Sequence, residues 1–102
     1  MYRASDRVRN ERWLADLGRA ADDLDIGSDA RSVAEDLFLS TMPDAERSKP
    51  AAIAASLYAG GLIAGDRRSQ GAVAEAVGVT RLTVQNRWKP LLEEAGLDPP
   101  TW

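Results

Sequence analysis

The sequence predicts an all-α domain of five helices. Three observations carry this. Apolar residues recur at helical spacing along nearly the whole chain, and no run of four or more alternates as a half-buried strand would. Ser, Thr or Asp precedes the apolar stretches, where a helix N-terminus needs a side-chain acceptor. Glycine or proline follows them.

The first helix is expected from about Asp6 to Leu24, capped by Ser5. Trp13, Leu14, Leu17, Ala20, Ala21 and Leu24 form its apolar face, and Gly27 is its expected C-terminal cap. The second starts after Ser28 or Asp29. Ala30, Val33, Ala34, Leu37 and Phe38 share one face, and Pro43 closes it. The third begins at Ser48, read as its cap, with Pro50 in the first turn where a missing N–H costs nothing.

The run AAIAASLYAGGLIAG is apolar nearly all round, the pattern of a central, enclosed helix. Its small residues allow close approach of neighbours, while Gly60 and Gly61 weaken the helix itself. The fourth helix runs from Gln70 to Val77 behind Ser69. The fifth follows Thr80 and passes through Val84 and Trp88. Pro90 is expected to kink or end it, with a short final turn over Leu91 to Ala95. Residues 1–97 thus form one domain and residues 98–102 an extended tail.

The totals narrow the function. A chain of 102 residues, 44% hydrophobic and 28% charged, fits a single globular domain. It has no cysteine and no histidine. That removes disulfides, the usual zinc sites, thiol nucleophiles and imidazole bases. Asp16, Asp22, Asp23 and Asp25 read as a solvated face rather than paired catalytic acids. With no phosphate-binding glycine loop, the sequence points away from an enzyme and calls for no cofactor or metal. No stretch reaches the roughly 18 apolar residues of a membrane span. The expectation is a cytoplasmic protein without a membrane segment or secretory signal.

The net charge is −3, but it is unevenly spread. Residues 1–47 hold seven basic and eleven acidic groups. Residues 65–89 reverse this, with Arg67, Arg68, Arg81, Arg87 and Lys89 against Asp66 and Glu75. Ten Asp, eleven Arg and two Lys fit either a GC-rich genome or a halophilic, salt-rich cytoplasm.

The basic segment contains QGAVAEAVGVTRLTVQNRW, which has the order of a helix-turn-helix over about residues 70–89. Val73 and Val77 face the core, Ala74 stands where the helices cross, and Gly78 takes a turn that needs positive φ. Val79 plugs the turn, Thr80 caps the second helix, and Val84 and Trp88 anchor it. Arg81, Leu82, Gln85 and Asn86 are then left for base edges in a major groove. Arg67, Arg68, Thr80, Arg87 and Lys89 are the candidate phosphate contacts. Trp13 and Trp88 read as core. Trp102 ends the tail, either as a loose end or docked on a partner or second copy.

The stretch from Ser48 to Lys89 resembles the second cyclin-like repeat of the archaeal transcription factor B and eukaryotic transcription factor IIB family. The resemblance rests on Ser48-Lys49-Pro50, the Ala-rich run after it, Arg68-Ser69-Gln70, VAEAVGVT and LTVQNRWK. It implies a five-helix cyclin-like fold whose last two helices read the promoter element beside the TATA box, while the repeat docks on the TATA-binding protein. Leu82 stands where the family has a base-contacting Val, and Gln85 where it has a base-reading Arg. A different DNA element is therefore expected. The family's zinc ribbon, polymerase-entering linker and first repeat have no counterpart in this sequence.

The expected function is a small DNA-binding transcription regulator on double-stranded DNA. A TATA-binding protein, another basal transcription protein or a homodimer would help it bind. The alternative is an adaptor that uses the cyclin box to bind such proteins, or polymerase, without reading DNA.

Overall fold

The computed structural model describes residues 9–97. It holds five α-helices: α1 (Glu11–Asp23), α2 (Ser28–Thr41), α3 (Lys49–Ala64), α4 (Gln70–Val77) and α5 (Arg81–Glu94), with a short 3-10 turn at Glu46–Ser48. No strand occurs among the described residues. The expected start of the first helix at Ser5 and Asp6, and the tail at 98–102, lie outside them.

The centre is α3, as its uniformly apolar run requires. Ile53, Ala54, Ala55, Leu57 and Ala59 are all buried, and α3 packs against every other α-helix. Its broadest partner is α2, which buries Ala30, Ala34, Leu37 and Phe38. The closeness of that pair explains Gly60. A Cβ there would sit 2.9 Å from the Ala34 amide nitrogen and 3.0 Å from the Ala30 carbonyl oxygen. The glycine that weakens the isolated helix is what lets two backbones meet. At 16 residues, α3 is too short to cross a membrane, and no other helix among the described residues is long and apolar enough.

Four details differ from expectation. Gly27 does not cap α1. The chain leaves α1 through Asp25, at φ 56°, while the Ile26 amide donates to the Ala21 carbonyl at 3.0 Å. Asp tolerates the left-handed region better than most side chains, so the turn closes two residues early. Gly27 has φ −70° and instead opens α2, its amide donating to Asp66 Oδ2 at 2.7 Å.

Ser48 precedes α3 but makes no side-chain cap, because its ψ of −11° already belongs to the helical region. Trp13 is only half-buried, lying under the Arg12 guanidinium at 4.5 Å. Finally, Pro90 does not end α5. The helix runs to Glu94, held by buried Leu91 and Leu92. Pro90 and Asn86 both stand on the exposed side, where water can replace the N–H that proline lacks.

Candidate nucleic-acid interface

The sequence forms α4 and α5 for local reasons that also fix their mutual angle. Ser69 has extended backbone and its Oγ accepts from the Ala72 amide at 3.0 Å. Val77 is followed by Gly78 at φ 94°, a conformation that strains any residue with a Cβ. There the Gly78 and Val79 amides both donate to the Ala74 carbonyl, at 2.8 and 3.0 Å. Two residues later Thr80 Oγ1 accepts from the Thr83 amide at 3.1 Å and opens α5. The turn is three residues long, and buried Val73, Ala74, Val84 and Trp88 fix both helices to α3. Val77 and Val79 are partly buried against the same core.

This packing leaves the start of α5 in solvent. Arg81, Leu82, Gln85 and Asn86 are all exposed, and Leu82, at 61%, is the most exposed large apolar residue described. An α-helix turns about 100° per residue, so Leu82 and Asn86 point straight out while Arg81 and Gln85 lean to one flank. On that flank lies a cleft of about 540 Å³. Arg81 and Gln85 line it from α5, Gln70 and Gly71 from the first turn of α4, Arg67 from the preceding loop, and Tyr58 from α3. No carboxylate lines it among the described residues. Neither Arg67 nor Arg81 has an ion-pair or hydrogen-bond partner there.

The other sequence-predicted cations are not gathered at this cleft. Arg87 falls on the other flank of α5, about 120° around the helix from Arg81. It lines a separate concavity with Met42, Pro43, Pro90 and Glu94. Lys89 is exposed, its Nζ 5.4 Å from the Trp88 ring centre. Thr80 uses its hydroxyl as the cap, bonded also to Thr83 Oγ1 at 2.8 Å.

Arg68 is the clearest departure from its expected phosphate role. Its Nε donates to the Leu24 carbonyl at 2.8 Å, one terminal nitrogen to the Asp25 carbonyl at 2.7 Å, and the other to Asp66 Oδ1 at 2.8 Å. All three nitrogens are thus engaged within the protein. They tie the α3–α4 loop to the α1–α2 turn. Asp66 completes the brace. The Gly27 amide and the Arg68 guanidinium on its oxygens hold its carboxyl below the ordinary value of 3.8.

Tyr58 escaped the sequence reading, which took it as one more residue of the apolar helix. It is 7% exposed, and its ring meets Trp88 edge-on at 5.3 Å. Its hydroxyl has no hydrogen-bond partner among the described residues. The signal was a phenol in the apolar run AAIAASLYAGGLIAG, where Ser56 is the other hydroxyl.

Comparison with known proteins finds relatives over about half of the chain. No family model matches it. It is 51% identical over 45 residues to transcription initiation factor IIB 1 of Thermoplasma volcanium, and 47% identical over 45 residues to transcription initiation factor IIB of Archaeoglobus fulgidus. Each match covers 44% of this chain and 14% of the relative. Transcription initiation factor IIB of Pyrococcus horikoshii is 43% identical over 54 residues, covering 53% of this chain and 18% of its own length. The chain is therefore similar to this family over about half its length, and the match spans less than a fifth of each relative. The all-α architecture is consistent with the cyclin-like fold that this similarity implies.

Proposed function

We propose that this chain binds double-stranded DNA in transcription regulation, with α4 and α5 acting as a helix-turn-helix and the start of α5 entering the major groove. One observation supports this most. Leu82, Gln85 and Asn86 stand exposed on α5, beside a cleft whose charged groups, among the described residues, are Arg67 and Arg81. A recognition helix meets bases with its N-terminal part, which is the end left free. Gln85 and Asn86 suit adenine edges, and Leu82 suits a thymine methyl. Arg81 can reach guanine or a phosphate, and Arg67 a phosphate. Lys89 and Arg87 lie farther along, toward the flanking backbone. The relatives' name, transcription initiation factor, agrees with a role in transcription.

A single module of this size offers roughly 600–1,000 Å² of contact with DNA. The net charge of −3 works against that contact. A protein partner therefore belongs to the reading: a TATA-binding protein, another basal transcription protein, or a second copy. The adaptor reading, protein binding without base recognition, is favoured by the exposure of Leu82 and by the acidic first half of the chain.

A titration against defined duplexes, with and without a TATA-binding protein and at two salt concentrations, separates the two readings. Saturable duplex binding by the chain alone, weakening with salt, is expected. Retention on the protein partner with no effect of added duplex would sink the DNA reading and leave the adaptor.

A further inference from the structure

The cleft beside α5 contains more than two arginines. At the first turn of α4, the Ala72 amide goes to Ser69 Oγ and the Val73 amide to the Ser69 carbonyl. The Gln70 and Gly71 amides have no acceptor among the described residues. Both residues line the cleft. Gly71 has no side chain to crowd the cleft, and a Cβ built there would meet nothing within 4 Å. Free first-turn amides carry the positive end of the helix dipole.

Tyr58 is a separate observation, since it comes from α3. Its phenol is more than nine-tenths buried and lines this cleft, yet its hydroxyl is without a partner. The hydroxyl is the part of this side chain that still reaches solvent, so it is free to donate to a ligand in the cleft. Both charges in the cleft are cations, and the phenol O–H and two backbone amides add donors, while the Gln70 and Gln85 side chains can donate or accept.

We propose that this cleft is an oxyanion site that holds one phosphate group, with Arg81 and Arg67 as its charges and the Gln70 and Gly71 amides and the Tyr58 hydroxyl as its neutral donors. In the DNA complex the occupant is a backbone phosphodiester. That part rests on the DNA reading above. It also changes the work of Arg81, from reading a base to fixing the register of α5 on the duplex, and leaves the bases to Leu82, Gln85 and Asn86. Phosphate contacts position and carry no sequence information. Free inorganic phosphate has the same chemistry and serves as the probe.

Two arms test this on the whole chain. In the first, amide resonances are followed while inorganic phosphate is added, against chloride at equal ionic strength. The Gln70 and Gly71 amides are expected to shift with phosphate. Tyr58→Phe, which keeps the ring against Trp88, and Arg81→Gln should each weaken that response by about tenfold or more, as expected for a hydrogen bond to a charged group. Shifts that chloride reproduces, or that both variants leave unchanged, overturn the site.

The second arm is duplex affinity against salt. Arg81→Gln should weaken all sequences alike and reduce the salt slope by about one. A lost preference at one base position with an unchanged slope would instead make Arg81 a base reader and overturn the assignment. A phosphate response without any duplex binding would sink the DNA reading and leave the oxyanion site standing.

Discussion

Arg67 and Arg68 are neighbours in sequence and opposites in use. Arg68 turns inward, and its guanidinium is engaged by two carbonyls and the Asp66 carboxylate. Arg67 turns outward into a cleft where no protein acceptor meets it. The first builds a brace between the α3–α4 loop and the α1–α2 turn. The second supplies charge to a surface that has donors to spare. Charge counted along the chain cannot separate them; what each guanidinium touches can.

The comparison is sharpest if the two regions fail differently. The largest effect is expected from Gly61→Ala. A Cβ there would lie 2.8 Å from the Asp66 carbonyl oxygen, which is backbone and has little room to yield. Overpacking of this kind costs about 1–3 kcal/mol. It should lower the unfolding midpoint in urea and disturb the whole loop that carries both arginines.

Arg68→Ala comes next. It leaves the Leu24 and Asp25 carbonyls and Asp66 without their donor, but these groups are near enough to the surface to be hydrated. A loss of about 1–2 kcal/mol in chemical denaturation is expected. Duplex affinity, measured where the variant is still folded, should hold. A stable Arg68→Ala protein with weakened DNA binding would reverse the division of labour.

The brace also predicts a pH dependence. The Asp66 carboxyl is held below its ordinary value by the Gly27 amide and by Arg68. Its contribution is therefore fully present above the unfolded-state value near 3.8 and is lost as pH falls through the lower folded one. Other carboxylates titrate nearby, so the measure is a difference. The gap in stability between wild type and Asp66→Asn should be wide at neutral pH and close below about pH 4. A gap that stays constant on acidification would mean that the carboxylate contributes nothing as an anion.

Arg67→Ala should have the smallest effect on folding, within about 0.5 kcal/mol, as for an exposed side chain without partners. Its cost should appear instead as weaker duplex binding with a shallower salt dependence.

Much of this molecule was legible in the sequence because its punctuation is local. Ser69, Gly78 and Thr80 act at the positions where their chemistry predicted them, through bonds spanning a few residues. The central place of α3 followed from its even apolarity. What escaped depends on contacts between distant residues. Gly27 was read as a cap because nothing local says that Asp66, far along the chain, needs its amide. Pro90 was expected to kink or end α5 because the lost N–H was counted without knowing that Pro90 and Asn86 stand on the exposed side. Arg68 and Arg67 look alike until the α1–α2 turn is folded back beside them. Arg87 was expected at a phosphate together with Arg67, though it lines a different concavity from the one Arg67 shares with Arg81. Tyr58 was hidden inside an apolar pattern that only its hydroxyl and that of Ser56 break.

The opened face of α5 is where the functional account stands or falls. Selection from a randomised duplex pool, run in parallel with wild type and Gln85→Ala, tests it most directly. Wild type should enrich one short sequence, and Gln85→Ala should lose the preference at a single base position while keeping the rest. No enrichment by wild type, or the same sequence enriched undiminished by Gln85→Ala, would contradict base reading by this helix.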